Sequence, residues 1–238
     1  MDPELGPILD VYGLPGFREP FSAISHLVGA VLFAFLGYGL LLRGRGDRRR
    51  LVYLGIYAFA CVFLFSMSGV YHMMERGGAA RNVLGRLDHS AIFVLIAGTF
   101  TPVHGILLFG WRRWAPLLII WGAAIVGVCL KSIFYDDVAE WITLSLYLGM
   151  GWFGAYGGIF LARLFGWRFV RPLFWGGVAY SIGAVFEFQR WPIMIPGVVH
   201  PHEIFHVAVL VGALCHWYFV WQFADGRMYA PTPEVLDA

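Results

Sequence analysis

The sequence predicts an all-α fold, an integral membrane bundle of seven transmembrane helices. Apolar residues make up 59% of the 238 residues and charged residues only 13%, about half the share of a soluble domain. Long apolar runs alternate with short charged connections, and a helix needs roughly 20 residues to cross the hydrocarbon core. The runs lack the alternation of barrel strands, and unpaired backbone in lipid is too costly for any structure other than helices or a closed barrel.

Seven segments meet this length requirement, and they follow one another with short connections. They are, in chain order, 22–42, 51–72, 88–109, 114–134, 141–161, 172–188 and 203–223. The first is not expected to be a cleaved signal peptide, because acidic residues precede it and its apolar run is too long. The predicted organisation is an N-terminal segment at 1–21, a transmembrane domain at 22–223 and a C-terminal tail at 224–238.

Lysine and arginine are distributed unevenly between the connections. The connections after the first, third and fifth segments, together with the tail, hold eleven of these residues, and the other side holds six. Because basic residues accumulate on the cytoplasmic side, we predict a multi-pass protein of the inner (plasma) membrane with its N-terminus outside and its C-terminus in the cytoplasm. The basic run at 43–50 is interpreted as a topology signal, and no nucleic-acid partner is expected.

Polar residues of four segments gather at one membrane face. Ionisable groups within a bilayer are costly and usually mark functional sites. The residues at this face are Ser25, His26, Ser68, His72, Asp88, His89, His202, Glu203 and His206. His104 and His216 lie toward the opposite face, out of reach of this group.

The histidine spacing indicates a metal site. His202 and His206 are four residues apart, so they lie on one face of a helix. With His72 they form the three-histidine set of a catalytic zinc site, whose open fourth position lowers the pKa of bound water to about 7. Asp88 and Ser68 are the candidate catalytic residues, Asp88 as proton acceptor and Ser68 as a hydrogen-bond partner of the water or of a substrate carbonyl. Alternatively, any one of these side chains is a buried residue that links helices.

The run from His202 to His206 also matches H-E-x-x-H, in which the glutamate is the general base of zinc metalloproteases. An acidic residue in the first turn of a helix is equally favourable without any chemistry, and we favour that interpretation for Glu203. Together with Ser25 and His26, Glu203 is expected to surround the metal ligands. Glu187 approaches the same face, so it is a further candidate to surround the metal ligands, but Gln189 and Arg190 beside it indicate an interfacial boundary instead.

On four motifs the chain resembles the haemolysin III-like bacterial branch of the progestin and adiponectin receptor superfamily. They occur in the family's order and spacing: EPFSAISH at 19–26, SGVYH at 68–72, LDHSAIFVLIAGTFTP at 87–102 and HEIFH at 202–206. The first motif departs from the family at Ser22 and Ser25, where Asn and Thr are common.

The resemblance implies a seven-helix bundle with a zinc ion held by His72, His202 and His206, and with Asp88 and Ser68 around the bound water. Receptor members of the superfamily look like lipid amidases that act on ceramide-type substrates. For bacterial members the implied roles are lysis of blood cells and membrane lipid homeostasis. The eukaryotic receptors place the N-terminus and the zinc side in the cytosol, opposite to the charge count above.

The leading hypothesis is therefore a zinc-dependent hydrolase that cleaves an amide or ester in a membrane lipid. The alternatives are a non-catalytic membrane sensor or receptor with structural zinc, an intramembrane metalloprotease, and haemolysin-type cytolytic activity. A transporter is disfavoured because no inverted repeat is visible, and a pore because the polar residues occupy one end only.

Overall fold

The computed structural model describes residues 11–228, and this part of the chain contains seven helices long and apolar enough to cross a membrane. They are α1 (Pro20–Arg43), α2 (Arg48–Met73), α3 (Ala79–Leu107), α4 (Gly110–Ile133), α5 (Glu140–Phe165), α6 (Trp167–Gln189) and α7 (Pro201–Phe223). The all-α, seven-helix prediction is confirmed. The predicted N-terminal segment and C-terminal tail lie partly outside the described residues.

All seven helices begin before the predicted segments, two of them by five residues or more. α3 starts at Ala79 rather than at residue 88, and α6 starts at Trp167 rather than at residue 172. The additional turns carry arginines, which lower the hydropathy of the segment but are compatible with a helix that extends beyond the hydrocarbon core. The predicted starts were wrong because hydropathy locates the bilayer and not the end of the helix.

The helices pack in sequence order, and α3 lies at the centre. α1 contacts α2 and α7, whereas α3 contacts α2, α4, α5 and α7. The apolar window of α3 is 83% buried, against 17% for α5. The hydroxyls of Thr99 and Thr101 donate to carbonyls one turn earlier in α3, so these buried polar groups are satisfied within the helix.

Glycines bring α1 into close contact with α2 and α7. A Cβ atom at Gly69 of α2 would lie 2.8 Å from the side chain of Leu27, and one at Gly29 of α1 would lie 2.7 Å from that of Leu210. Small residues let transmembrane helices approach closely. This contact holds together the three helices whose ends form the site described below.

Candidate metal centre

Three imidazoles converge where the end of α2 meets the start of α7. The Nε2 atom of His202 lies 3.3 Å from Nε2 of His72 and 3.1 Å from Nε2 of His206. One nitrogen of each ring lies within 4.8 Å of the other two, and His72 and His206 are buried. Tetrahedral zinc ligands at about 2.0–2.1 Å from the ion are separated by about 3.3 Å, so the cluster has the spacing to hold one metal ion.

Local structure explains how these rings meet. His202 and His206 occupy successive turns at the start of α7, and His72 lies in the last turn of α2. Side chains four residues apart on a helix lie one above the other. The sequence prediction that these three residues come together agrees with the geometry.

Carboxylates contact the outer nitrogens of two of the rings. Nδ1 of His72 is hydrogen-bonded to the carboxylate of Glu19, and Nδ1 of His202 lies 3.3 Å from Oε1 of Glu187. A carboxylate that accepts the outer N–H fixes the tautomer and leaves the lone pair of the inner nitrogen available for a metal ion. Both rings are thus oriented with Nε2 toward the centre of the cluster.

Glu19, at the N-cap of α1, is itself anchored by a cation. Nη2 of Arg81 donates to Oε1 of Glu19 at 2.7 Å, and Nη1 of the same arginine donates to the carbonyl of Met74. Burial raises the pKa of Glu19, but the hydrogen bond with His72 and the charges of His72 and Arg81 outweigh it and lower the pKa to about 2. Glu19 is therefore ionised at neutral pH.

His26, predicted to surround the ligands, lies directly against one of them. Its ring stacks on that of His206 with centroids 3.8 Å apart and an interplanar angle of 25°. Asp88 is half-buried in α3, and its Oδ2 lies 3.8 Å from Nδ1 of the neighbouring His89.

The two predicted serines have different surroundings. Ser68 is buried in α2, one turn before His72. The Ser25 hydroxyl donates to the carbonyl of Ser22 at 3.1 Å within α1, so the contact that the structure gives it is local to its own helix.

Glu203 caps α7 and ties it to α1. Its Oε1 accepts a hydrogen bond from the Ser22 hydroxyl at 3.0 Å, and its Oε2 accepts one from the backbone N–H of His200 at 3.0 Å. Both oxygens of this buried carboxylate are engaged in contacts between and within helices. His104 and His216 were predicted to lie out of reach of the cluster. They contact the backbone carbonyls of Arg112 and Leu173, away from it.

Glu19 was not among the predicted site residues, whereas Glu187 was predicted either to lie beside the metal ligands or to mark an interfacial boundary. Glu19 opens the first motif and is the last acidic residue before α1, a signal that could have identified it. Glu187 does lie beside Arg190, which donates to it at 2.7 Å, but it also contacts His202. The contacts of Glu187 are therefore consistent with both interpretations.

The sequence of the chain is similar to one family model and to several known proteins. The family model described as "Haemolysin-III related" matches residues 16–217, a region that includes every residue of the cluster. Hemolysin-3 of Bacillus cereus is 32% identical over 212 residues, 85% of this chain and 90% of that protein. The Hemolysin-3 homolog of Bacillus subtilis (strain 168) is 32% identical over 208 residues, 85% and 92% of the two chains. Progestin and adipoQ receptor-like protein 1 of Caenorhabditis elegans is 24% identical over 258 aligned positions, 92% of this chain and 57% of that protein.

Proposed function

Because this chain belongs to the haemolysin-III related family and is a multi-pass membrane protein with a buried histidine cluster, we propose that it is a zinc-dependent hydrolase of a lipid amide or ester. The proposal depends chiefly on one observation, the convergence of three Nε2 atoms with neighbouring separations of 3.1 and 3.3 Å. Membrane lipid homeostasis is the role that such an activity would serve.

The donor set favours zinc. Neutral imidazole is a preferred zinc ligand, and three protein ligands leave one position open for water or substrate. The carboxylates of Glu19 and Glu187 supply negative charge next to two of the ligands, which offsets part of the charge of a divalent cation. A bound zinc ion would polarise a carbonyl and lower the pKa of a bound water.

The chain's own residues supply the proton chemistry and the orientation. Asp88 is the proposed proton acceptor, because it is a half-buried carboxylate on a third helix, α3, at the same end of the bundle as the cluster. Ser68 is the proposed hydrogen-bond donor to the substrate carbonyl. His26, stacked on His206, holds that ligand ring in place.

A lipid fits the location better than a soluble substrate does. The cluster lies where the end of α2 meets the start of α7, so in a bilayer spanned by these helices it would lie near the head groups of one leaflet, and the outer faces of the helices expose apolar side chains. A lipid can reach this depth laterally without leaving the bilayer. The amide or ester linkage, located between head group and acyl chain, would then reach the histidines.

A second function, a receptor or sensor with structural zinc, is favoured by a different observation. Contacts of Glu19 with His72 and Arg81, and of Glu203 with Ser22, connect α1, α2, α3 and α7 around the cluster. In that case the metal would join α2 and α7, and the surrounding carboxylate contacts would connect α1 and α3 to them. The relative from Caenorhabditis elegans is named as receptor-like. The protease alternative is less well supported, because both oxygens of Glu203 are engaged elsewhere.

The test is fatty-acid release by purified protein in lipid nanodiscs. The panel contains ceramides, other N-acyl lipids and glycerol esters, each assayed before and after removal of metal by a chelator and again after zinc is restored. Release from at least one lipid that is lost with the metal and regained with zinc is the expected result. Metal-bound protein that releases no fatty acid from any lipid would favour the receptor, and dye leakage from liposomes under the same conditions would favour cytolytic activity.

A further inference from the structure

A cleft of about 310 Å³ lies at the end of the bundle opposite the histidine cluster. The first turn of α2, the end of α3 and the start of α4 enclose it. Its lining residues are Asp47, Arg49, Arg50, Tyr53, Gly105, Ile106, Phe109 and Arg113. The charged residues come from the N-cap and first turn of α2 and the first turn of α4, whereas Tyr53, Ile106 and Phe109 supply apolar surface. The cleft therefore combines cationic and apolar surfaces at a membrane boundary.

Two of the three arginines are held in place by backbone carbonyls. Arg50 donates from Nε to Gly44 at 3.1 Å and from Nη2 to Arg45 at 3.0 Å. Arg113 donates from Nε to Leu108 at 2.7 Å. Because each guanidinium carries five N–H donors, these bonds fix the groups and leave other donors for a ligand. Guanidiniums that are oriented beforehand lose little entropy when an anion binds.

The lining charge is positive. Asp47 is the one acidic lining residue, and it accepts a hydrogen bond from the backbone N–H of Arg50 at 2.9 Å as the N-cap of α2. That hydrogen bond lowers the pKa of Asp47, so the carboxylate stays ionised and remains occupied at the helix end. Three arginines facing one carboxylate leave an excess of two positive charges for an anion.

From this combination we infer that the cleft binds the phosphate of an anionic phospholipid head group. Guanidinium groups match phosphate oxygens in geometry and charge, and basic pockets between transmembrane helices on the cytoplasmic side suit phosphate-bearing head groups. Tyr53, Ile106 and Phe109 provide the apolar surface that the glycerol and first acyl carbons require. The inference is independent of the proposed hydrolysis, because the cleft and the histidine cluster lie at opposite ends of the bundle.

The test is native mass spectrometry of detergent-purified protein with phosphatidylglycerol, phosphatidylcholine or inorganic phosphate as probe. The Arg49→Gln, Arg113→Gln double variant removes two lining cations. The Arg48→Gln, Arg112→Gln variant removes the same charge from neighbouring positions outside the cleft. We expect wild type and control to retain phosphatidylglycerol in preference to phosphatidylcholine, and the lining variant to bind it about tenfold less tightly.

Three outcomes would overturn the inference. Equal loss in the two double variants would show a diffuse charge effect instead of a site. Equal retention of the two lipids by wild type would remove the phosphate specificity. Displacement of phosphatidylglycerol by millimolar inorganic phosphate would assign the cleft to a soluble anion. If the lining variant is misfolded by circular dichroism, the exposed single change Arg49→Gln, compared with Arg48→Gln, repeats the test.

Discussion

Oε1 of Glu187 on α6 lies 3.3 Å from Nδ1 of His202 on α7. Arg190 donates to the same oxygen at 2.7 Å and to Oε2 of Glu140, the first residue of α5, also at 2.7 Å. This chain of contacts connects the histidine cluster to α5 and α6, neither of which supplies one of its imidazoles. Glu187 thereby fixes the ring of the one histidine in the cluster that is only half-buried.

The first prediction concerns this carboxylate. Glu187→Gln keeps the size of the side chain but removes the charge that orients His202, so we expect zinc affinity to fall about 10- to 100-fold. Titration against a competing chelator measures the change. Glu140→Gln is the matched control, since Glu140 contacts Arg190 but not His202, and it should retain wild-type affinity. Equal affinity in all three proteins would show that Glu187 does not support the ligand.

The fold and the three histidines were predictable because each depends on a local pattern. A run of about 20 apolar residues marks a span wherever it occurs, and the four-residue spacing of His202 and His206 places them on one helical face. His72 could be assigned to the same cluster because consecutive spans alternate in direction. This alternation brings the end of α2 and the start of α7 to one face of the membrane.

The carboxylates around the cluster were harder to predict because they depend on how the helices rotate. Glu19 and His72 are 53 positions apart in sequence, and no periodicity connects them. Whether Glu187 points toward α7 or toward solvent is decided by the packing of α6 against α7, which hydropathy does not specify. The early start of α3, which places Arg81 beside Glu19, depends on polar turns that lie outside the hydrophobic window.

The second prediction concerns the metal. Purified wild-type protein should hold about one zinc ion per chain, and His206→Gln should lose it, because an amide replaces one of three imidazole ligands. Elemental analysis after purification without chelators measures the stoichiometry. His216→Gln changes a histidine of the same helix that contacts the Leu173 carbonyl away from the cluster, so it should retain the metal. A well-folded wild-type protein free of metal would contradict the prediction.

The third prediction concerns the orientation of the protein in the membrane. Eight of the ten acidic residues in the described part of the chain lie at the end that carries the histidines, and the opposite end carries the majority of the arginines. Under the positive-inside rule the histidine cluster faces outward and the C-terminus lies in the cytoplasm. A C-terminal green fluorescent protein should therefore fluoresce, and a C-terminal alkaline phosphatase should be inactive. The reverse pattern would show the orientation of the eukaryotic receptors.

The fourth prediction separates catalysis from metal binding. Asp88→Asn preserves size and hydrogen bonding but removes the proposed proton acceptor, so lipid hydrolysis should fall ~100- to 10,000-fold. Zinc content and helicity should be unchanged, because Asp88 is not one of the three converging ligands. Ser68→Ala should cost less than Asp88→Asn if the hydroxyl only orients the substrate carbonyl.

The matched control for Asp88 is Asp136→Asn, which changes an exposed carboxylate at the same end of the bundle that lies 3.7 Å from Arg86. Hydrolysis by this variant should equal that of wild type, which would exclude a general effect of surface charge. Hydrolysis that persists in Asp88→Asn would remove Asp88 from the mechanism. Loss of zinc in Asp88→Asn would give it a structural role instead, since a proton acceptor beside the cluster is needed for turnover but not for holding the ion.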